Sequence, residues 1–219
     1  AAMPDGRADP NVITCSAAVS ACERAGQWLS ALAMLAPMPE LRTASNAATL
    51  NAAMSACQRS GQWQSALCLL CSALEFRAVP TAVTCNVAVS ACERGDQWRL
   101  AFVVLSTMTD RQVDSDVVTF GAAVSACARC GRWAFATSLL AAMKRLRAEP
   151  NAIACSAATS ACGRAGQWRR AVALLGAAPS FQGPISAAAH NAAISACERG
   201  GRWPVMCALL DAMRLLRIA

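Results

Sequence analysis

Two pairs of cysteines have the spacing of a metal or redox site. Cys68 and Cys71, like Cys127 and Cys130, are separated by two residues, as are many zinc-binding and dithiol cysteines. The two pairs occupy different positions of the repeat described below, and Cys68 and Cys71 fall within a predicted helix, whose face accounts for their spacing. The chain has 13 cysteines, an odd number that cannot pair completely within it. We therefore expect neither a metal site nor a disulfide framework.

The other polar residues do not form the pattern of an active site. His190 is the only histidine, and a lone histidine without partners is more typical of structure than of catalysis. No glycine-rich phosphate loop, nucleophile elbow or carboxylate pair occurs. Glu23, Glu93 and Glu198 recur beside arginines and are typical of a solvated surface. The sequence predicts a protein that is not an enzyme and uses no cofactor and no small-molecule substrate.

The composition is that of a folded, basic chain. Of 219 residues, 56% are hydrophobic and 15% are charged, which excludes intrinsic disorder. The net charge of +7 comes from 20 basic and 13 acidic residues. This excess is compatible with a polyanionic partner, and it is equally compatible with a role in solubility alone. The apolar stretches are interrupted too often to span a membrane, and no targeting segment is visible, so we expect no membrane partner.

Six tryptophans divide the chain into units of 35 residues. They are Trp28, Trp63, Trp98, Trp133, Trp168 and Trp203. The residues before each tryptophan repeat as well, as in SACERAGQW and SACGRAGQW. Six copies without an insertion or deletion predict one supersecondary unit per copy, with neighbouring units stacked.

Each unit has the pattern of two helices. Apolar and small residues recur at helical spacing in the first segment, as in residues 12–24. A break with glycine follows, and the second segment starts at the tryptophan, with leucine seven residues later on the same face. The tryptophans are therefore predicted to pack between helices. The fold class predicted is all-α, an α-solenoid of about six stacked helix-turn-helix repeats of 35 residues.

The unit boundaries follow from the period. We predict an N-terminal flank over residues 1–11 and a solenoid over residues 12–219. Its repeats would be 12–46, 47–81, 82–116, 117–151, 152–186 and 187–219. Pro37 and Pro39 predict a shortened second helix in the first repeat, and Pro179, Gly183 and Pro184 predict the same in the fifth.

A 35-residue helical hairpin with this pattern resembles the pentatricopeptide repeat. The resemblance is carried best by residues 150–156 (PNAIACS), the break at residues 164–166 (RAG) and the pair Leu174-Leu175; residues 116–120 (DVVTF) open another unit in the family's usual way. It extends over roughly residues 12–219. Tetratricopeptide repeats have 34 residues and a tryptophan early in the first helix, whereas here the tryptophan opens the second, so that family fits less well.

The resemblance implies binding of single-stranded RNA, with one nucleotide per repeat. In that family, a residue early in the first helix and the residue just before the next repeat choose the base. The base-reading residues implied are Ser16 with Asn46, Asn51 with Thr81, Asn86 with Asp116, Gly121 with Asn151, Ser156 with Ser186, and Asn191. The resemblance further implies that the first pair favours adenine, the second pyrimidine and the third uracil, and that Gly121 discriminates poorly.

Two further sets of residues are implied by the resemblance. An apolar residue would wedge between neighbouring bases at Ile13, Val83, Val118 and Ile153, whereas Ala48 and Ala188 take the same place and are small. An arginine near the end of each first helix would contact phosphates: Arg24, Arg59, Arg94, Arg129, Arg164 and Arg199. Two alternatives stay open, because these arginines could instead cap helix carbonyls and residues such as Asp116 and Asn151 could serve only as N-caps.

The function implied is a sequence-selective RNA-binding module in RNA processing, stability or editing. The family setting implies a mitochondrion or plastid, and a protein partner that supplies any enzymatic activity. The alternative is a tetratricopeptide-like scaffold that binds an extended peptide. Salt separates the two, since binding to phosphates weakens steeply as salt rises.

Overall fold

The computed structural model describes residues 12–35, 47–75, 81–111, 113, 116–146, 148–177 and 187–215. Within these ranges the regular elements are twelve α-helices, two in each 35-residue unit. None of the helices described is long and apolar enough to cross a membrane. The prediction of an all-α chain of helix-turn-helix repeats is confirmed.

First and second helices alternate along the chain. The first helices are α1 (Val12–Ala25), α3 (Ala47–Arg59), α5 (Ala82–Arg94), α7 (Val117–Arg129), α9 (Ala152–Arg164) and α11 (Ala187–Arg199). The second helices are α2 (Trp28–Leu35), α4 (Trp63–Glu75), α6 (Trp98–Asp110), α8 (Trp133–Arg145), α10 (Trp168–Gly176) and α12 (Trp203–Leu215). As Pro179, Gly183 and Pro184 predict, α10 has only 9 residues, against 13 in α4, α6, α8 and α12. The description of α2 stops at Leu35, so the shortening predicted from Pro37 and Pro39 lies outside the described residues.

The turn inside each hairpin depends on one residue with positive φ. Glycine supplies it in five copies, at Gly26, Gly61, Gly131, Gly166 and Gly201, with φ between 63° and 71°. The N–H of the next residue donates a hydrogen bond to the carbonyl five residues earlier, as from Gln167 to Cys162 at 2.9 Å. This hydrogen bond caps the C-terminal end of the first helix. In the third copy Asp96 takes the same conformation, with φ of 56°.

The chain forms two compact units, residues 1–87 and residues 88–219. In the first unit, Val19 and Ala31 are buried with Ala52, Ala53 and Ala56, and Trp28 packs against this cluster. In the second unit, the buried cluster is Cys162, Ala171, Leu175, Ala189, Ala193 and Ala196, with Trp133 and Trp168 packed against it. The prediction that tryptophans pack between helices is confirmed for these three.

Small side chains allow close approach of the first helices in the second unit. A Cβ atom added to Gly163 in α9 would lie 2.6 Å from the backbone oxygen of Ala192 in α11, closer than any side chain tolerates. The recurrent cysteines contribute small buried side chains to the same layer. Burial raises the pKa of Cys92 to about 12 and the pKa of Cys127 and Cys162 to about 11, so these thiols stay protonated at neutral pH.

Candidate nucleic-acid interface

An exposed aliphatic side chain stands near the start of three first helices. Val83, Val118 and Ile153 are 56%, 64% and 69% exposed, and each is the second residue of its helix. The residue that follows each of them is buried: Thr84, Thr119 and Ala154. These are the predicted wedge positions. The side chain of Ile13 lies outside the described part, and Ala48 and Ala188 are exposed at the equivalent places.

A predicted base-reading residue follows each wedge residue one helical turn later. Asn86 lies three residues after Val83, and Ser156 lies three residues after Ile153, so each pair shares a helix face. Gly121, in the same place after Val118, is buried. Asn191 is exposed, and Asn46 and Ser186 lie outside the described residues.

The residues that precede the first helices act as N-caps. Asp116 Oδ1 accepts hydrogen bonds from the backbone N–H and the hydroxyl of Thr119, both at 2.8 Å. Asn151 Oδ1 accepts the N–H of Ala154 at 2.9 Å. The capping role left open by the sequence is therefore realised. A cap of this kind fixes the side chain without using the amide nitrogen of Asn151, which can still donate to a base.

A layer of buried threonines holds the predicted base-reading side chains. Thr49, Thr84 and Thr119 are at most 2% exposed. Their hydroxyls form hydrogen bonds with Ser16 at 2.6 Å, Thr81 at 2.9 Å and Asp116 at 2.8 Å, respectively. Sequence reasoning missed this layer, although threonine at one repeat position in four successive copies, from Thr14 to Thr119, was the available signal. The fifth and sixth copies have Ala154 and Ala189 there.

Asn51, a predicted base-reading residue of α3, has an unsatisfied hydrogen-bond acceptor. Its Oδ1 atom is buried and has no hydrogen-bond partner among the described residues. A buried acceptor without a donor costs about 1–3 kcal/mol. A donor on a bound base would relieve this cost at a position that the sequence assigns to base reading.

The arginines near the ends of the first helices connect neighbouring repeats. Arg164 Nη1 donates to the backbone oxygen of Arg129 at 2.8 Å, and Arg199 Nη1 donates to the oxygens of Arg164 and Gly163 at 2.9 and 3.1 Å. The carbonyls that they cap thus belong to the preceding first helix, and not to their own helix. All six arginines of this set are exposed, so contact with phosphate stays a prediction.

Two members of the set form ion pairs. Arg129 Nε lies 2.6 Å from Asp96 Oδ1, and Arg59 Nη2 lies 3.8 Å from Glu23 Oε1. The hydrogen bond from Arg129 lowers the pKa of Asp96. Burial raises the pKa of Glu93, against the opposite effect of Arg129. Glu198 is exposed as expected, whereas Glu23 and Glu93 are partly buried.

Among the residues that the structure describes, the candidate metal and redox groups lie apart. Within the ranges described, no three His, Cys, Asp or Glu residues gather into a group that could hold a metal ion. Cys68 and Cys71 are both exposed on α4, and Cys127 is buried while Cys130 is partly buried. His190 is buried in α11.

Comparisons with known proteins identify the repeat. Residues 103–165 match the family model of the pentatricopeptide repeat domain. No curated protein matches the chain significantly. The pentatricopeptide repeat protein PPR10 from maize is similar in structure, with a TM-score of 0.64, 23% identity, and coverage of 97% of this chain and 35% of that one.

Two similar structures contain RNA. PPR10 in complex with an 18-nt psaJ RNA element has a TM-score of 0.65 and 22% identity, over 92% of this chain and 33% of that one. The PPR domain of Arabidopsis thaliana protein-only RNase P 1, in complex with tRNA, has a TM-score of 0.66 and 16% identity, over 76% of this chain and 88% of that one. The chain thus spans about a third of PPR10.

The matched segment and the repeat period agree. Residues 103–165 extend from the third into the fifth 35-residue unit, and the same period continues without interruption on both sides. The solved structures share the all-α solenoid fold predicted from the sequence. Residues 103–165 thus match the pentatricopeptide repeat, and the chain shares the fold of solved pentatricopeptide repeat proteins.

Proposed function

We propose that the chain is a non-catalytic module that binds single-stranded RNA in a sequence-selective way, with one nucleotide per repeat. The observation that carries this proposal is the exposure of the aliphatic residue at one position of α5, α7 and α9, although the next residue is buried each time. Exposed aliphatic side chains at a regular period offer flat apolar faces between which bases can stack. The RNA in the PPR10 and RNase P 1 structures supports the same conclusion.

Base selection would come from polar side chains beside each wedge residue. Asn86 and Asp116 offer donor and acceptor groups that match the edge of uracil. The third repeat, with Val83 as its wedge, is therefore the strongest reader. The second and sixth repeats, with Ala48 and Ala188, contribute less stacking, and Gly121 leaves the fourth without a side chain at one of its two reading positions.

The repeats proposed to bind in this way are those given by the 35-residue period, residues 12–219, after a flank at residues 1–11. The six recurrent first-helix arginines would add phosphate contacts through N–H groups that the helix carbonyls leave available. We place the module in RNA processing, stability or editing in a mitochondrion or plastid, where a protein partner supplies any enzymatic step. The similarity to pentatricopeptide repeat proteins supports this setting.

Fluorescence anisotropy with short labelled RNAs tests the proposal. One RNA carries adenine, pyrimidine and uracil for the first three repeats, and a second RNA has the same bases scrambled. We expect the chain to prefer the first RNA by about tenfold, the discrimination of one or two good base contacts, and to lose affinity for both as salt rises.

A matched pair of variants makes the test specific. Asn86→Ala with Asp116→Ala removes the predicted uracil contacts and should abolish the preference at that nucleotide. Thr109→Ala with Asp110→Ala removes the same charge from the exposed end of α6 and should leave the preference unchanged. Absence of binding to either RNA at low salt would refute the proposal and favour a peptide-binding scaffold.

A further inference from the structure

Tryptophans and arginines alternate at the turn ends of the hairpins in the second unit. Trp98, Trp133 and Trp168 begin α6, α8 and α10 and are partly buried. Five guanidinium groups lie over their rings, at 4.5 to 5.4 Å from the ring centroids. They belong to Arg99 and Arg132 over Trp98, Arg170 over Trp133, and Arg169 and Arg202 over Trp168. We refer to these eight residues as the Trp–Arg ladder.

The positive charge of the ladder is not neutralised by the described part of the protein. All five arginines are exposed, and the ion pairs found there involve Arg59, Arg129 and Arg214 instead. Asp96, a carboxylate on the turn before Trp98, is paired with Arg129 at 2.6 Å. The ladder therefore presents a row of available guanidinium groups.

The indole rings also restrict the movement of these groups. A guanidinium that lies over an aromatic face is attracted through its charge and leaves its N–H groups available to a ligand. Side chains held in this way lose less conformational freedom when they bind a ligand. Guanidinium groups bind phosphate oxygens in a bidentate manner, so the ladder is preorganised for a chain of phosphates.

The ladder lies at the opposite end of the hairpins from the predicted base-reading residues. Asp116 and Asn151 stand before α7 and α9, whereas the ladder follows the turns after the first helices. A first helix of 13 residues separates the two ends by about 20 Å. A nucleotide held between wedge residues does not reach the ladder, so the ladder requires another segment of RNA.

We propose that the Trp–Arg ladder is a second RNA-binding surface, which holds the phosphate backbone of a segment flanking the nucleotides that are read. This inference rests on the proposed RNA-binding function and extends it. The three tryptophans recur with the 35-residue period, and each carries at least one guanidinium group, so the cations follow successive hairpins. A row of cations that runs along successive hairpins matches a polyanion with a charge on every nucleotide better than an acidic peptide with irregular charges. Its contacts carry no base preference.

Charge-matched variants and two lengths of RNA test the inference. The ladder variant replaces three arginines of the ladder by Gln: Arg132, Arg170 and Arg202. The control variant replaces three exposed arginines at the other ends of the second helices by Gln: Arg111, Arg145 and Arg214. One RNA is just long enough for the six repeats, and the other carries poly(A) extensions. We expect the slope of log K against log salt for the long RNA to fall by about 2 in the ladder variant, since each lost phosphate contact on a single strand contributes about 0.7.

The short RNA and the control variant complete the expected result. The ladder variant should bind the short RNA with the slope and base preference of the wild type. The control arginines lie nearer to Asp116 and Asn151, so any change of slope in the control variant should be the same for both RNAs. A ladder variant whose slope falls no further with the long RNA than with the short RNA would overturn the inference. Competition by poly-glutamate as strong as that by poly(A), at equal charge, would overturn it in favour of an acidic protein.

Two further measurements keep the test decisive. Arg132, Arg170 and Arg202 also link neighbouring repeats, so their loss can lower stability. Arg99→Gln with Arg169→Gln instead removes guanidinium groups that lie over the ring of their own helix, and this change should lower the slope by about 1.4. Tryptophan emission during titration with poly(A) adds a second readout, because three of the six tryptophans belong to the ladder. Equal changes of emission in the wild type and in the ladder variant would overturn the inference. A wild type whose emission changes more than that of the ladder variant, but that shows no preference for the short matched RNA, would refute the proposed function alone.

Discussion

At the scale of single residues, the buried threonines hold the polar side chains that we propose read bases. Thr119 places its hydroxyl on the same carboxylate oxygen of Asp116 that caps α7. A side chain held by two hydrogen bonds presents one geometry to a base, and a fixed geometry discriminates between bases better than a mobile one.

Thr119→Val should therefore relax base preference without preventing RNA binding. Valine has nearly the same shape but lacks the hydroxyl, so the preference for uracil at the nucleotide read by Asp116 should fall severalfold, and Thr119→Ser should restore it. Competition between RNAs that differ only at that nucleotide measures the effect. Thr159→Val is the matched control, because the buried hydroxyl of Thr159 bonds only to the backbone oxygen of Cys155 in its own helix, at 2.9 Å. An equal loss of preference in both valine variants would rule out the positioning role.

Sequence reasoning reached some of these residues and missed others for physical reasons. The wedge positions followed from the resemblance, and their exposure at Val83, Val118 and Ile153 agrees with it. The arginine contacts could not be predicted, because the carbonyl that Arg164 caps lies 35 residues back, on another helix. Sequence periodicity identifies which residues are equivalent, but not which partner each one meets across a repeat.

At the scale of elements, the turn glycines show what the sequence predicts well. In the sequence, a glycine two residues before the tryptophan predicts the end of the first helix. The structure has a positive φ at this position, as at Gly166 with φ of 67°. Asp96 in the third copy adopts the same backbone conformation although it has a side chain. A prediction based on glycine alone does not identify this turn residue. The carboxylate of Asp96 accepts a hydrogen bond from Arg129.

Two alanine variants distinguish turn glycines from helical ones. Gly166→Ala should lower the free energy of unfolding by about 1–2 kcal/mol, because an L residue is strained at positive φ even though no atom lies within 4 Å of the added Cβ. Gly176→Ala, at the end of α10 and equally open, should raise it by about 0.5–1 kcal/mol. Urea denaturation followed by circular dichroism measures both. Shifts of the same sign in the two variants would show that backbone conformation does not set the difference.

At the scale of the whole molecule, stability in a repeat protein is close to a sum of local terms. Each repeat is stabilised by its own packing and by the interface with its neighbour. The two compact units and the separate buried clusters within them follow this pattern. A defect at one interface should therefore act locally.

Gly163→Ala tests this locality in the second unit. Its Cβ would meet the backbone oxygen of Ala192 at 2.6 Å, so α9 and α11 must move apart at a cost of about 1–3 kcal/mol, the range for overpacked cores. Hydrogen exchange should accelerate most in α11 and α12 and least in α7. Gly121→Ala, in a buried helical site with open space around the Cβ, should leave exchange unchanged or slower. Uniform acceleration over the second unit would instead indicate one cooperative block.

The arginine caps give the assembly of the second unit a direction. The carbonyl of Arg129 at the end of α7 receives its donor from Arg164, and the carbonyl of Arg164 receives its donor from Arg199. Each hairpin is thus completed by the one synthesised after it. Chains fold from the N-terminus as they emerge from the ribosome. The newest hairpin therefore docks on a folded surface, and the last carbonyl of its own first helix gains its arginine donor only when the next hairpin has been made.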